Sequence, residues 1–254
     1  MAMSRMSRST GERGPRGLGH GRRLHGRRTA HRLRPSQQRA METLLPRLQV
    51  TLPPEGALLD PAALFEETPR ALWLEIGFGA GEHLVWQAQR NPDIGFLGAE
   101  VFHDGIAKML RHVEEEQLTN VRVFTDDARE LLECLPDASL DRAFLLFPDP
   151  WPKLRHHKRR FVQPEQLDAV ARVLRDGGEF RLATDDPGYQ RWMLIQLMRH
   201  PAFEWTAERP GDWRERPKDW PATRYELKAL GQGRQPVYLR FRRRARQDET
   251  SSRG

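Results

Sequence analysis

The middle of the chain alternates short apolar runs with amphipathic stretches, and this alternation limits the possible folds more than any other feature. The apolar runs predict strands at 71–76, 94–101, 120–125, 140–147, 179–184, 202–206 and 237–241. Apolar residues three and four positions apart predict helices at 82–90, 103–116, 128–135, 164–174 and 188–199. Repeated strand–helix units predict an α/β fold with a doubly wound, mostly parallel sheet and helices on both faces. Ligands of such sheets bind beyond the carboxyl ends of the strands, so the residues that follow each strand are the functional candidates.

The composition excludes several classes of protein. The chain has 254 residues, of which 38% are hydrophobic, enough for the core of one large domain. No stretch approaches the roughly 18 to 20 uncharged apolar residues of a membrane-spanning helix, and the N-terminus lacks the apolar segment of a secretory signal. The single cysteine, Cys134, excludes an internal disulfide and a cysteine-based zinc site. We therefore expect a reducing, cytoplasmic compartment, no membrane partner and an inert thiol.

Positive charge is concentrated in the first 40 residues, which hold eleven arginines, no lysine and one acid, Glu12. The rest of the chain holds 31 basic and 34 acidic side chains, so the whole positive excess lies in this segment. Because large apolar residues are few there, we expect 1–32 to be a disordered arm that attracts RNA. A solubilising extension or a mitochondrial transit peptide are the alternatives. We expect one domain over 33–244 and a disordered tail over 245–254.

Glycines follow the first predicted strand as Gly77-Phe-Gly79-Ala-Gly81. Such glycines let the chain turn tightly, let a ligand approach the backbone and leave helix N–H groups exposed behind it. The dinucleotide fingerprint G-x-G-x-x-G needs glycine where Glu82 stands, which disfavours a nicotinamide cofactor. The sequence also lacks the Walker motif that would indicate ATP. A packing turn without a ligand is the alternative.

Acidic residues accompany three successive strands: Glu75 within the first, Glu100 after the second and Asp127 after the third. A carboxylate at the second position can accept hydrogen bonds from both hydroxyls of a ribose. A carboxylate at the third can meet the amino group of an adenine. Each acid alone could be a solvated loop residue or a helix cap. Together with the glycines, they predict a pocket for an adenine nucleoside.

The fourth predicted strand leads into Phe147-Pro-Asp149-Pro-Trp151-Pro-Lys153 and then into a basic cluster that ends at Arg160. The prolines stiffen the turn and fix the direction of the acid and the indole. An acid and an aromatic ring suit a flipped base, and the basic cluster suits phosphates. A solvated basic loop is the alternative. The adjacent His156 and His157 lack a third ligand at a sensible spacing, so we expect no metal site.

Two more polar groups follow the fifth predicted strand: Asp185 almost directly, and Thr223-Arg224-Tyr225-Glu226 further along the chain. The second group offers donors, acceptors and a flat ring side by side. It could equally be the start of a helix, with Thr223 as the cap and Glu226 completing a capping box.

These motifs resemble those of the TrmB family of bacterial tRNA (guanine-N7-)-methyltransferases, which are class I enzymes that use S-adenosylmethionine. The matching stretches are Leu74-Glu-Ile-Gly-Phe-Gly-Ala-Gly81, Phe96-Leu-Gly-Ala-Glu-Val101, Phe147-Pro-Asp-Pro-Trp-Pro-Lys153 with His157-Lys-Arg-Arg160, Ala183-Thr-Asp185 and Thr223-Arg-Tyr-Glu226. The similarity spans about residues 33–242. The turn around Asp149 and the Thr-Arg-Tyr-Glu element are its most specific parts. The family often has histidine where Pro152 stands.

The resemblance implies a class I methyltransferase, Rossmann-like fold whose seven-stranded sheet has an antiparallel last strand. It implies methyl transfer from S-adenosyl-L-methionine to N7 of the variable-loop guanine of tRNA. Contacts with S-adenosylmethionine are implied for Glu75, Gly77, Glu100, Asp127 and Asp149, and Asp149 is the implied catalytic residue beside the methyl group. Contacts with the guanosine are implied for Lys153, Asp185, Thr223, Arg224, Tyr225 and Glu226.

The basic cluster and the N-terminal arm are expected to contact the RNA backbone. The residues of the cluster expected to do so are Arg155, Lys158, Arg159 and Arg160. We expect tRNA as the partner of a monomer or weak homodimer that binds no metal.

Three other functions remain open on the residues alone. A methyltransferase of the same fold could act on another RNA or on a protein. A non-catalytic RNA-binding module is disfavoured by the intact glycine loop with its acids Glu75, Glu100 and Asp127. A nucleotide-dependent oxidoreductase is disfavoured by Glu82.

Overall fold

The structure, a computed structural model, describes residues 33–247. Our expectations for 1–32 and for the part of the tail 245–254 that follows residue 247 lie outside this range. At the start of that tail, Arg246 binds the carboxylate of Asp176. The described part begins with the helices α1 (Pro35–Thr43) and α2 (Leu45–Leu48) and a 3₁₀ turn at Ala62–Leu64. The pattern of apolar runs did not predict these three elements.

Seven strands and seven further helices follow. The strands are β1 (Ala71–Ile76), β2 (Ile94–Ala99), β3 (Val121–Phe124), β4 (Leu140–Leu146), β5 (Leu174–Thr184), β6 (Phe203–Trp205) and β7 (Val237–Arg243). The helices are α3 (Glu82–Arg90), α4 (His103–Glu115), α5 (Ala128–Cys134), α6 (Pro164–Val173), α7 (Pro187–Arg199), α8 (Gly211–Arg214) and α9 (Arg224–Gly231). A second 3₁₀ segment covers Leu154–Arg159.

The strands form one sheet in the order β3-β2-β1-β4-β5-β7-β6. Strands β1 to β5 run parallel, whereas β7 is antiparallel to both β5 and β6. The expected α/β fold, with a mostly parallel seven-stranded sheet and an antiparallel last strand, is confirmed. Ile76 pairs with Ala99 on one side and with Leu145 on the other, so the carboxyl ends of the central strands meet at one edge.

Helices cover both faces of the sheet. Alternate residues of β1 point to opposite faces, and Leu74 belongs to the core beneath α5, α6 and α7. Leu84 of α3 and Met109 of α4 form the core on the other face. These side chains are almost fully buried, and each contributes about 1.5 to 3 kcal/mol by leaving water.

The structure corrects the predicted boundary between α6 and β5. The sequence indicated a helix to residue 174 and a strand from residue 179, with two glycines between them. Instead β5 begins at Leu174, which pairs with Leu140. The register then shifts, and Gly177, at a φ of +75°, provides the irregular backbone that this bulge needs.

Among residues 33–247, no helix is long and apolar enough to cross a membrane. Within the same part of the chain, no group of three or more His, Cys, Asp and Glu side chains is placed to hold a metal ion.

Candidate active site

The glycine loop between β1 and α3 has a conformation that other residues rarely adopt. Gly77, Gly79 and Gly81 have φ angles of +70°, +58° and +77°. A Cβ on Gly81 would lie 2.2 Å from Met109 Cγ, so the packing of α4 against the loop requires glycine there. A Cβ on Gly77 would meet no atom of the described residues within 4 Å. The loop is therefore closed at Gly81 and open at Gly77, where a ligand can approach the backbone.

Glu100, directly after β2, is held by three backbone N–H groups. Gly79 donates to Oε2 at 2.7 Å, and Val101 and Phe102 donate to Oε1 at 2.8 and 2.9 Å. Burial raises the pKa of Glu100, the backbone donors oppose that shift, and the charge of Asp149 adds to it. A carboxylate has about four acceptor positions, so within the described residues one position on Oε2 remains. This fits one ribose hydroxyl, whereas the sequence suggested two.

Glu75 lies near the end of β1 and is buried with two polar partners of α3. Its Oε2 is 2.7 Å from His83 Nδ1, and His83 Nε2 is 3.1 Å from Gln87 Nε2. All three side chains are at most 4% exposed. The predicted cofactor acid is therefore held in place by a buried chain of hydrogen bonds.

Asp127 is the N-terminal cap of α5. Its Oδ1 accepts a hydrogen bond from the N–H of Arg129 at 3.0 Å, and the Arg129 guanidinium binds both carboxylate oxygens. The helix-cap alternative is therefore present in the structure. A contact with the amino group of an adenine stays a prediction, and it would form beside these bonds.

The turn after β4 is strained at both ends. Phe147 and Trp151 have φ angles of +49° and +44°, a region that is costly for residues other than glycine. Arg160 donates from Nε to the carbonyl oxygen of Pro150 at 2.8 Å, which fixes the middle of the turn. Asp149 is exposed between these points. A constrained backbone thus presents the carboxylate of Asp149 beyond the carboxyl end of β4.

The structure corrects the prediction that Arg160 contacts the RNA backbone. Arg160 is 4% exposed, and its guanidinium lies 5.0 Å from the ring centre of Tyr189 and 5.3 Å from that of Trp192. Burial lowers the pKa of this guanidinium. A side chain enclosed in this way cannot reach a phosphate. Arg160 instead positions the turn that carries Asp149.

The neighbouring basic residues face outward. Arg155 and Lys158 are exposed on the 3₁₀ segment, and Lys153 is exposed directly before it. Arg159 is half-buried, with its guanidinium 4.9 Å from the ring centre of Trp151. These positions are compatible with contacts to RNA, which remain a prediction.

Asp185, directly after β5, forms an ion pair with Arg234, whose Nη1 lies 2.6 Å from Asp185 Oδ2. The pair lines a cavity of about 580 Å³ together with Gln190, Trp213 and Arg214. A cavity of this volume lies in the usual range for sites that bind small molecules. Arg234 is the partner of Asp185 in the structure, and a contact of Asp185 with a base stays a prediction.

The residues Thr223 to Glu226 start α9, as the helix-start alternative predicted. Thr223 Oγ1 accepts a hydrogen bond from the N–H of Glu226 at 3.3 Å. The buried Glu226 carboxylate points away from the cap: Oε1 accepts from the Tyr238 hydroxyl at 2.7 Å and lies 3.0 Å from Arg216 Nε. Only half of the capping box forms, because Glu226 anchors α9 to β7. Its predicted contact with a guanosine is not tested by these bonds.

The first residues of α9 contact the glycine loop. The N–H of Arg224 donates to Glu82 Oε2 at 2.8 Å. The Tyr225 hydroxyl and ring edge lie 3.3 Å from the position of a Cβ on Gly79. A cavity of about 20 Å³ remains between the loop and α9, lined among others by Glu75 and Thr223. The start of α9 therefore covers the loop at Gly79, while Gly77 is exposed.

The sequence pattern missed four buried or paired residues of this region: His83, Gln87, Arg181 and Asp219. His83 and Gln87 lie four positions apart on the buried face of α3, and polar residues at that spacing are a signal that the sequence offers. Arg181 Nη1 and Asp219 Oδ2 are 2.6 Å apart but separated by 38 residues. No local pattern indicates such a contact.

Comparisons with known proteins agree with this arrangement. A family model described as "Putative methyltransferase" matches residues 69–239. A tRNA (guanine-N(7)-)-methyltransferase of Rhodospirillum rubrum is 54% identical over 226 residues, covering 88% of this chain and 89% of the relative. One of Paramagnetospirillum magneticum is 54% identical over 228 residues, covering 88% of this chain and 94% of the relative.

Among solved structures, the 16S rRNA methyltransferase KamB matches with a TM-score of 0.51 at 16% sequence identity. The match covers 69% of this chain and 89% of that protein. At this identity the likeness concerns the fold alone, and it agrees with the α/β fold that the alternating strands and helices predicted.

Proposed function

The chain belongs to the tRNA (guanine-N(7)-)-methyltransferase family, and we propose that it transfers a methyl group from S-adenosyl-L-methionine to N7 of a variable-loop guanine in tRNA. The arrangement at the carboxyl edge of the sheet carries this proposal. There the open glycine loop, the Glu100 carboxylate and the constrained turn around Asp149 lie at neighbouring strand ends. The start of α9 contacts the loop.

The residues at this edge fit S-adenosylmethionine as a ligand. The backbone at Gly77 is accessible, and the remaining acceptor position of Glu100 suits a ribose hydroxyl. Glu75, Asp127 and Asp149 would make the other contacts. When bound, S-adenosylmethionine supplies a methyl group that its sulfonium already activates.

Methyl transfer to N7 requires the protein to align the two reactants and does not require it to transfer a proton. Guanine N7 has a lone pair and no proton at neutral pH, so a general base is not required. The protein must hold N7 in line with the methyl group, which is a task of proximity and orientation. Positive charge reaches the purine during the transfer, and the carboxylates of Asp149 and Asp185 would stabilise it. Asp185 would also accept hydrogen bonds from N1–H and the amino group of guanine, a pair of donors that adenine lacks.

Binding in the space between the glycine loop and α9 requires the start of α9 to move. Pockets for small molecules usually have about 300 to 1,000 Å³, whereas the cavity between the glycine loop and α9 has about 20 Å³. Arg224 and Tyr225 contact this region through the hydrogen bond to Glu82 and the packing on Gly79, whereas the buried Glu226 anchors the helix to β7. We propose that Arg224 and Tyr225 move away from the loop to admit the ligand and close again over it, while Glu226 stays in place.

We propose that folded tRNA approaches along the exposed Lys153, Arg155 and Lys158, and that the arm 1–32 adds phosphate contacts. Removal of residues 1–30 should weaken tRNA binding and flatten its salt dependence, while catalysis at saturating tRNA persists. An affinity that is unchanged at several salt concentrations would reject this role of the arm.

A tRNA substrate also implies a cytoplasmic site of action, and we propose a monomer or weak homodimer.

An atomic substitution in the RNA tests the proposed acceptor. A tRNA transcript made with 7-deazaguanosine has a C–H group in place of N7 and cannot be methylated there. We expect transfer to the ordinary transcript and none to the 7-deaza transcript. Equal methylation of both would show that another atom is the acceptor. Because both transcripts carry the same phosphates, equal affinity for them is the control.

A further inference from the structure

A buried chain of polar groups links the two halves of the candidate site. Glu75, at the end of β1, contacts His83, and His83 contacts Gln87 one helical turn later. Gln87 Nε2 also donates to the backbone carbonyl oxygen of Asp219 at 2.7 Å. Asp219 lies in the segment that leads directly to Thr223 and α9. The chain of polar groups therefore runs from a predicted cofactor acid to the segment that carries the predicted guanosine contacts.

The hydrogen atoms of these polar groups can be assigned from their geometry. The Nε2 group of Gln87 is an NH₂, which only donates, and its partners are the Asp219 carbonyl and His83 Nε2. His83 Nε2 must therefore be the acceptor, and the ring proton lies on Nδ1, from which it is donated to Glu75. His83 is thus an uncharged imidazole of the Nδ1–H tautomer. Gln87 donates in both directions, and its two hydrogens tie the 219–223 segment to the imidazole that holds Glu75.

Asp219, the last residue of this chain of hydrogen bonds, is itself firmly held. Its carboxylate accepts from the buried Arg181 at 2.6 Å. The next residue, Trp220, packs against the His83 ring with ring centres 5.9 Å apart, and its carbonyl accepts from Arg216 at 2.9 Å. A shift of the 219–223 segment would therefore change the position of Gln87 and His83, and with them that of Glu75.

We propose that His83 and Gln87 are positioning residues that couple the binding of S-adenosylmethionine to the binding of RNA. This inference rests on the proposed function, in which Glu75 contacts the cofactor and the start of α9 contacts the guanosine. A ligand that shifts Glu75 also shifts the 219–223 segment through His83 and Gln87, so the first ligand moves the site of the second toward its bound position. Linkage requires the effect to be reciprocal: RNA strengthens cofactor binding by the same factor by which cofactor strengthens RNA binding.

Binding measurements with an unreactive cofactor product test the coupling. The dissociation constant of S-adenosylhomocysteine is measured by calorimetry on the full chain, with and without a saturating unmodified tRNA transcript. In the wild-type protein we expect tRNA to tighten binding by about fivefold or more. In Gln87→Met, which keeps the shape but removes both donors, we expect that ratio to fall to within about twofold of one.

Gln37→Met is the matched control for this substitution. Gln37 is also a buried glutamine on a helix, but its side chain accepts a hydrogen bond from the N–H of Arg34, the N-terminal cap of the same helix. The Gln37→Met variant should therefore keep the wild-type ratio.

A second measurement observes the His83 ring itself. In protein labelled with ¹⁵N-histidine, His83 should give the nitrogen shifts of a neutral ring with its proton on Nδ1, and the signal is assigned as the one missing from His83→Asn. That variant can still donate to Glu75 and should retain part of the coupling. An Nε2–H tautomer, a wild-type ratio of one, or an unchanged ratio in Gln87→Met would overturn the inference. Methylation of tRNA by wild-type protein is scored separately, so a failed coupling with intact methylation leaves the proposed function standing.

Discussion

Arg224 and Glu82 join the start of α9 to the start of α3. The N–H of Arg224 donates to Glu82 Oε2 at 2.8 Å, and the Arg224 guanidinium lies 3.6 Å from Oε1. Glu82 is also the residue that breaks the dinucleotide fingerprint. The same position therefore has a role of its own in this fold: it binds the helix that covers the glycine loop.

Removing this interaction should loosen α9. In Glu82→Ala we expect S-adenosylhomocysteine to dissociate about two- to fivefold faster, because a partly exposed ion pair contributes about 0.5 to 1 kcal/mol. Stopped-flow displacement measures this rate. Glu165→Ala is the control, because Glu165 is an acid in the first turn of α6. Equal rates in the two variants would mean that the interaction with Arg224 does not hold the helix.

The carboxylate of Asp149 should matter for the methyl-transfer step. Asp149→Asn keeps the shape of the side chain but removes the charge that would stabilise the arriving positive charge. We expect a loss of about 2 to 4 kcal/mol, or roughly thirty- to thousandfold in single-turnover rate. Asp93→Asn, at the opposite edge of the sheet, should react normally. A normal rate in purified Asp149→Asn would remove Asp149 from the mechanism.

Binding of the cofactor should depend on pH through Glu100. Burial raises the pKa of this carboxyl above its ordinary value of 4.5. As the pH falls from neutral through the raised pKa, Glu100 gains a proton and loses acceptor capacity, so the affinity for S-adenosylhomocysteine should decrease. The folded protein holds this proton more tightly than the unfolded chain, so Glu100 itself makes folding less favourable as the pH rises through the same window. Glu100→Gln should bind more weakly near neutral pH and lose this pH dependence; an identical pH profile in the variant would contradict the assignment.

Substitution of Arg160 and substitution of its exposed neighbours should have different effects on the salt dependence of tRNA binding. Replacing Arg155 and Lys158 together by alanine should lower the slope of log affinity for tRNA against log salt by about 0.7 to 0.9 for each phosphate that the protein no longer neutralises. Arg160→Ala should leave that slope unchanged and instead slow methyl transfer, because the turn around Pro150 loses its anchor. A reduced slope in Arg160→Ala would restore the sequence-based prediction for this residue.

The fold was largely predictable because buried parallel strands are continuous apolar runs, as in Leu140–Leu146. The start of β5 was not predictable, because a strand that contains two glycines has the local sequence pattern of a turn. The same limit applies to the basic cluster. Lys158, Arg159 and Arg160 are equivalent in the sequence, and only the packing against Tyr189 and Trp192 makes one of them an interior residue.

The acids at the strand ends show which features of the site a sequence motif can predict. The position of Glu100 after β2 was predictable from the rhythm of the chain. Its three backbone hydrogen-bond donors could not be predicted, because they depend on the three-dimensional path of the glycine loop. The hydrogen bond between Gln87 and Asp219 spans 132 residues and has no local signature at all.

The most direct test of the proposed function is transfer from S-adenosylmethionine with a labelled methyl group to an unmodified tRNA transcript, followed by nucleoside analysis. We predict labelled 7-methylguanosine at one position of the variable loop. Binding of the cofactor without labelled tRNA would keep the nucleoside pocket and reject the substrate. Folded protein that neither binds the cofactor nor labels the RNA would contradict the proposed methyl transfer and favour a non-catalytic RNA-binding module.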